Sequence, residues 1–251
     1  LTGSPVAEHF YGDAPAFAPF NGLIADSVQS ILSRLPDTEP IRILEVGAGT
    51  GGLTACLLPL LPPERTDYLF TDVSQSFINQ AKNRFRDFPF VRYGLMDAEQ
   101  DPADQSPGSD TFDLVIASDA LHPTADIAAS LANIRKALAP GGMFALMELT
   151  DPPVWYEMIF GLLPGWWHFG DREQRTDGPT LSQDEWLAAL ESAGFEDSAI
   201  LPAFRTDAPA LHSVFLAAKP AVAKQQSGIG KTDSAAEKEF AAPAVILASD
   251  P

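Results

Sequence analysis

The chain has 251 residues, 45% of them hydrophobic and 20% charged, which suits one large α/β domain and is too apolar for a disordered chain. Sixteen Lys and Arg against 34 Asp and Glu give a net charge of −18, a field that repels a polyphosphate backbone and argues against nucleic-acid partners. A single cysteine, Cys56, excludes an internal disulfide and a cysteine-built zinc site, and fits a reduced, cytoplasmic setting. The longest apolar run, around Trp155–Phe169, is cut by Glu157, Pro164 and Gly165, so no membrane partner is expected. No signal peptide opens the chain, and a start at Leu1 rather than Met suggests a piece of a longer polypeptide.

Leu1–Asn21 is rich in Gly, Pro and aromatics and reads as an irregular arm. Leu23, Ile24, Val28, Ile31, Leu32 and Leu35 recur at helical spacing until Pro36 stops them. Ile41–Val46 is a short apolar run before a glycine cluster, as in a strand buried on both faces. Further strands are expected at Tyr68–Thr71, Phe90–Tyr93, Phe112–Ala117 and Met143–Leu149, with helices between them at Leu53–Leu60, Ser74–Phe85 and Ala125–Leu138. Asp97–Ser109 reads as a surface loop. Trp186–Ala193 reads as a later helix with Ser182 as its N-cap, and Ala199–Leu201 and Leu211–Ala218 as closing strands. Such alternation predicts an α/β fold with a doubly wound, Rossmann-like, seven-stranded sheet. The boundaries implied are an arm and helix over 1–40, a core over 41–219 and an Ala/Lys/Ser-rich linker or tail over 220–251.

The stretch Glu45-Val46-Gly47-Ala48-Gly49-Thr50-Gly51-Gly52 lies between the first strand and a helix, where glycines let the backbone turn tightly against a ligand. Asp72 ends the second strand about twenty residues on, where a carboxylate can accept two ribose hydroxyls; a helix cap or an exposed turn is its plainer reading. Met96-Asp97 follows the third strand, where a short loop can cover an adenine ring, although Asp97 also fits a merely acidic loop. The acidic first position suits a cationic methionine ammonium and disfavours a pyrophosphate.

The pattern ExGxGxG resembles class I S-adenosylmethionine-dependent methyltransferases more than nicotinamide enzymes. The resemblance narrows further with Phe70-Thr71-Asp72-Val73-Ser74, Tyr93…Asp97…Asp101-Pro102, Asp113-Leu114-Val115-Ile116-Ala117, Leu121-His122 and Leu138-Ala139-Pro140-Gly141-Gly142. With Phe160-Gly161-Leu162-Leu163-Pro164-Gly165-Trp166-Trp167 and Leu181-Ser182…Trp186…Ala193-Gly194-Phe195, the chain from Tyr11 to Ala218 resembles the C-methyltransferase domains of polyketide synthases. One departure is the short stretch before the core, about forty residues where that family carries a larger helical subdomain. The resemblance implies S-adenosyl-L-methionine as cofactor, held by Glu45, Gly47, Ala48, Gly49, Gly51, Asp72, Val73, Met96, Asp97 and Ser118. It implies C-methylation of a β-ketoacyl thioester on an acyl carrier protein, with neighbouring synthase domains in the same polypeptide as partners.

Methyl transfer to carbon needs a base for the α-proton. His122 follows the fourth strand and Glu148 nearly ends the fifth, and the carboxyl ends of neighbouring strands border the ligand crevice of such a sheet. Glu148 is anomalous within Phe-Ala-Leu-Met-Glu-Leu, and a carboxylate in a buried strand needs a partner. His122 as base and Glu148 as its orienting carboxylate follow, and the resemblance implies the same pair. A capping or surface histidine and a solvated strand-end carboxylate are the plainer readings, and Asp119 is a competing base of lower reference pKa. His9, His168 and His212 read as structural or exposed, their scatter gives no metal-ligand spacing, and no metal is expected. An aromatic lid insertion over 151–180, with Tyr156, Phe160, Trp166 and Trp167, either lines an acyl channel or is a packed helical insertion. Tyr11 either reaches across the substrate mouth or packs. Arg172 and Arg175 are the nearest candidates for a local basic patch that would attract an acidic carrier. O-methylation of a small hydroxylated metabolite is the alternative activity; a nicotinamide oxidoreductase and a catalytically silent scaffold are more distant.

Overall fold

The computed structural model describes residues 17–33, 36, 38–105, 111–201 and 211–221. His9, Tyr11 and nearly all of the 220–251 tail lie outside the described residues. Five strands are parallel: β1 (Ile41–Val46), β2 (Thr66–Asp72), β3 (Val91–Leu95), β4 (Phe112–Ser118) and β5 (Leu138–Leu149). β6 (Glu196–Leu201) and β7 (His212–Ala218) close the sheet, with β7 antiparallel to β5 and to β6. The strand order is β3-β2-β1-β4-β5-β7-β6, the seven-stranded architecture of class I methyltransferases. The order reverses at β1, which pairs with β2 on one side and β4 on the other; a crevice opens beyond the carboxyl ends of the strands at such a point.

Successive side chains of a strand face opposite sides, and here both sides are apolar. Ile43, Ile116, Ala145 and Met147 pack beneath α1 (Ala18–Leu32), α2 (Gly52–Leu57) and α3 (Gln75–Arg84) through Ile24, Val28, Leu53, Leu57 and Ile78. Leu44, Val115, Phe144 and Leu146 pack against α4 (Ile127–Ala137) and α6 (Gln183–Ser192) through Leu131, Ile134, Trp186 and Leu190. α5 (Val154–Phe160) and a 3₁₀ turn at Pro164–Trp167 lie between β5 and α6.

Several boundaries differ from the sequence expectation. The arm does not run to Asn21, because Ala18–Leu32 is one helix: Pro19 fits its first turn, and Asn21 is fully buried. Its apolar face shares the core of the sheet. Pro59 turns the end of the expected 53–60 helix into a 3₁₀ turn, Leu58–Leu60. Ser182 caps α6 as expected, in a reciprocal box with Glu185. Within the expected 97–109 loop, the described residues 97–105 are held together: the Gln105 side chain accepts from Asp97 N at 2.7 Å and donates to Asp97 O at 2.9 Å.

Candidate active site

Beyond β1 the chain turns through Gly47, Gly49 and Gly51, all at positive φ (63°, 55° and 76°), which L side chains adopt only with strain. A Cβ at Gly47 would fall 2.5 Å from the Ala120 methyl, so the glycine lets this loop and the loop after β4 touch. At Gly49 a Cβ would meet nothing closer than 3.9 Å, and the bare backbone faces an open cavity. The loop is tied to β2: Ala48 N donates to Thr71 O, and Gly49 N to Asp72 Oδ2, each at 2.9 Å.

The cavity measures about 430 Å³, within the range of cofactor pockets. Of the residues expected to hold the cofactor, Glu45, Gly47, Ala48, Gly49, Asp72, Val73, Met96, Asp97 and Ser118 line it. Gly51 does not; a Cβ there would fall 2.7 Å from the Phe85 ring, so this glycine serves packing. Asp119, read from sequence as a competing base, also lines the cavity; Phe77, Glu99 and Thr124 line it too and went unread, since nothing in their local sequence marks them. Five of the lining side chains are acidic (Glu45, Asp72, Asp97, Glu99, Asp119) and none is Lys or Arg. Such a wall suits a cationic ligand and has no cation to offer a pyrophosphate.

Two of the carboxyls differ in their surroundings. Glu45 is fully buried, and desolvation pushes its carboxyl up to about 7, against the hydroxyls of Thr54 (2.5 Å) and Tyr68 (2.6 Å), which both donate to Oε2. Asp72 is also raised by burial, opposed by the Ser74 and Gly49 N–H groups that its two oxygens accept. Those bonds realise the turn role, yet a carboxylate offers about four acceptor sites, which leaves room for two hydroxyls from the cavity side.

Next to the cavity, Glu148 is fully buried and its Oε2 lies 2.8 Å from His122 Nδ1. The solvated-carboxylate reading therefore fails. Glu148 Oε1 accepts from the backbone N–H groups of Ala120 (3.1 Å), Leu121 (2.7 Å) and His122 (3.3 Å), so one carboxylate holds both the histidine ring and the loop that carries it. Burial lowers the His122 pKa, but the Glu148 charge and hydrogen bond, helped by Asp119 and opposed by Arg175, leave it above its ordinary value. The His122 side chain keeps 12% of its surface exposed. Asp119, His122 and Glu148 bring ligating atoms within 4.8 Å of one another, a spacing that a metal can use. Both Glu148 oxygens are already committed to N–H donors, which favours proton handling over metal ligation.

The insertion after β5 divides. Tyr156 and Trp166 are buried with Leu149, Phe160 stacks on Tyr156 at 4.2 Å, and Trp166 meets the His122 ring edge-on at 5.7 Å. Trp167 does not join that cluster: it is half exposed and its indole N–H donates to Gly161 O. Arg175 is no surface patch either. Its guanidinium is buried, paired with Asp171, and donates to the carbonyls of His122, Thr124 and Pro179. Burying a cation requires such acceptors, and two of them, the His122 and Thr124 carbonyls, are distant in sequence. His168 is exposed, whereas His212 is buried against Asp119 Oδ2 at 3.0 Å.

Residues 44–144 match the family model described as a methyltransferase domain. The non-reducing polyketide synthase tazA of Aspergillus terreus is 38% identical over 77% of this chain. This chain carries a methyltransferase domain. Among solved structures, the CurJ carbon methyltransferase superposes with a TM-score of 0.82 at 36% identity, over 86% of this chain. The trans-methyltransferase CalH, in complex with SAH, gives 0.69 at 32% identity, also over 86%. The chain spans 8% of tazA, 58% of the CurJ chain and 60% of the CalH chain, so it corresponds to one segment of longer proteins. The methyltransferase is S-adenosylmethionine-dependent, and its cavity fits that group: acidic side chains with no Lys or Arg for a cationic donor, an open glycine cradle and a half-free Asp72. No helix among the described residues is long and apolar enough to cross a membrane.

Proposed function

We propose that this domain methylates the α-carbon of a β-ketoacyl thioester carried on an acyl carrier protein, as one step of polyketide assembly. The observation that carries the reading is the buried pair of His122 Nδ1 and Glu148 Oε2, 2.8 Å apart, beside the cavity. When bound, S-adenosylmethionine supplies an electrophilic methyl group. Glu148 accepts a hydrogen bond from Nδ1–H and so keeps that proton on Nδ1, which leaves Nε2 with a free lone pair. Nε2 removes the substrate α-proton, made acidic by the flanking keto and thioester carbonyls, and so presents an enolate carbon to the methyl donor, whose S–CH3 bond would break to leave a neutral thioether. Glu148 then stabilises the imidazolium. Tyr156, Phe160 and Trp166 exclude water from one side of the ring, and exposed Met158, Ile159 and Leu162 offer apolar surface to an acyl chain. Glu45, Gly47, Ala48, Gly49, Asp72, Val73, Met96, Asp97 and Ser118 hold the methyl donor.

A net charge of −18 is poorly matched to an acidic carrier, so the encounter relies on covalent tethering within the synthase rather than electrostatic steering. The deciding assay incubates a β-ketoacyl carrier protein with the domain and cofactor, and reads the acyl mass and the position of the new methyl. One added methylene on carbon supports the reading. A methyl on oxygen, or no reaction with a carrier-bound ketoacyl group, overturns it.

A further inference from the structure

The described residues contain a second buried carboxylate–histidine pair that the mechanism above does not use. Asp119 follows β4 at φ 50°, in the left-handed region, and its own N–H is held by Met147 O at 2.8 Å. Its Oδ2 lies 3.0 Å from Nε2 of His212, which is the first residue of β7 and sits opposite Leu149 of β5. The two residues are 93 positions apart in the chain. His212 is wholly buried, with the rings of Phe17 and Phe20 of the α1 region at 4.6 and 5.5 Å. Its Nδ1 is buried with no partner among the described residues, and so is Asp119 Oδ1. A ring proton on Nδ1 would have no acceptor there, so the proton sits on Nε2 and is donated to Asp119.

This arrangement fixes Asp119 with one oxygen spent on His212 and the other unspent. A non-glycine residue persists at positive φ only where its surroundings over-determine it, and such residues cluster at functional sites. The carboxylate so fixed lines the cavity and stands within 4.8 Å of the His122 and Glu148 ligating atoms. We propose that Asp119, locked by His212, is a second positioning carboxylate for His122, stabilising the imidazolium from the side that Glu148 does not cover. The inference rests on His122 being the base.

The charged and titratable groups around His122 are Glu148 from β5, Asp119 from its own loop and Arg175 from the insertion, whose guanidinium donates to the His122 carbonyl. Asp119 and Glu148 favour the protonated ring and Arg175 opposes it, so removing one carboxylate charge must lower the ring's titration midpoint. Asp119→Asn is the clean probe, because asparagine tolerates left-handed backbone and keeps the shape of aspartate.

The test is an NMR pH titration of the His122 ring in the cofactor-free protein, beside the pH profile of methylation. Asp119→Asn is expected to lower the midpoint by roughly one unit and to shift the acid limb of the rate profile with it. His212→Gln, which can present an amide N–H where Nε2–H stands, is expected to retain the wild-type midpoint. His212→Leu is expected to lose part of the shift, and to change nothing further once Asp119 is Asn. A wild-type midpoint in folded Asp119→Asn overturns the inference, as does an Asp119→Asn variant with a lowered midpoint and an unshifted rate profile. Abolished methylation in Asp119→Asn with an unmoved midpoint also overturns it, and makes Asp119 the base. Wild-type methylation by His122→Ala instead removes the base reading on which the inference rests, so the two failures are distinguishable.

Discussion

The two halves of the site are built on different principles. On the cofactor side, the glycine loop, Asp72 and the Met96–Glu99 loop lie at the ends of neighbouring strands, and the ties that hold them are single bonds, such as Gly49 N to Asp72 Oδ2 and Ala125 N to Glu99 Oε1. On the proton-transfer side, Glu148 holds a loop 26 to 28 residues away through three backbone N–H groups, and Asp119 is held from 93 residues away. The first half tolerates change piece by piece; the second depends on a few buried carboxylates that each do several things. Mutations that separate binding from turnover therefore test the contrast directly.

The largest effect is expected at His122. Replacement by Ala removes the proton acceptor while leaving every cavity-lining residue in place, so methylation falls by about 10²–10⁴-fold and cofactor affinity stays nearly constant. Single-turnover assays beside calorimetry read both. A parallel loss of affinity would show that the two halves are not separable.

Glu148 comes next, and its hydrogen bonds sharpen what its sequence position implies. From sequence, Glu148→Gln keeps the ring in place and costs less than His122→Ala. In the structure the carboxylate accepts on both oxygens, from three backbone N–H groups on Oε1 and from His122 on Oε2. A glutamine has one acceptor oxygen; if it keeps the loop, its NH₂ faces Nδ1 and forces the proton onto Nε2, the tautomer that cannot act as base. Glu148→Gln should thus approach the loss of His122→Ala, with an unchanged fold. Glu148→Ala leaves those N–H groups buried without an acceptor and should destabilise the domain by roughly 1–3 kcal/mol as well, read by denaturant unfolding. A Gln variant within a few-fold of wild-type rate would refute this tautomer argument.

On the cofactor side the expected effect is smaller. Asp72→Ala removes an acceptor facing the cavity and releases the N–H groups of Gly49 and Ser74, so S-adenosylmethionine affinity should fall by about 10- to 100-fold, a loss of roughly 1.5–3 kcal/mol. Turnover of the saturated enzyme should change little. Unchanged affinity in calorimetry would put the ribose elsewhere.

The same contrast explains what could be read beforehand. Strands buried on both faces announce themselves as unbroken apolar runs, and Ile41–Val46 and Phe112–Ser118 lie within a residue of their expected ends. The glycine loop is legible because backbone that must turn left-handed selects glycine. Glu148 was legible as a misfit, a carboxylate inside an apolar strand, and a misfit asks for a partner. What the carboxylate does for the backbone of Ala120, Leu121 and His122 was not legible, since any residue can donate an N–H. The burial of Arg175 was hidden for the same reason: besides Asp171, its acceptors are carbonyls. The Asp119–His212 pair depends on an antiparallel closing strand whose register with β5 no local pattern fixes.

The smallest effect concerns Glu45, where the cofactor side has a proton of its own. Burial lifts this carboxyl from 4.5 to about 7, more than the Thr54 and Tyr68 hydroxyls pull it down, and nearby Asp72 adds to the rise. The unfolded chain releases this proton near 4.5 while the folded chain keeps it to about 7, so the folded state holds more protons between those values. Glu45 thus contributes stability that is full below about 4.5 and is lost as the pH climbs through 7. A cationic ligand favours the ionised form, so binding in the cavity should expel this proton, and affinity should rise between about pH 6 and 8 by no more than roughly ten-fold per unit. Glu45→Gln keeps an oxygen for both hydroxyls and cannot ionise. It should therefore flatten the fall in stability across this window and remove the proton release seen when calorimetry is repeated in buffers of different ionisation enthalpy. Equal proton release by wild type and Glu45→Gln would mean that the cation is met by another of the five acids, Asp119 foremost.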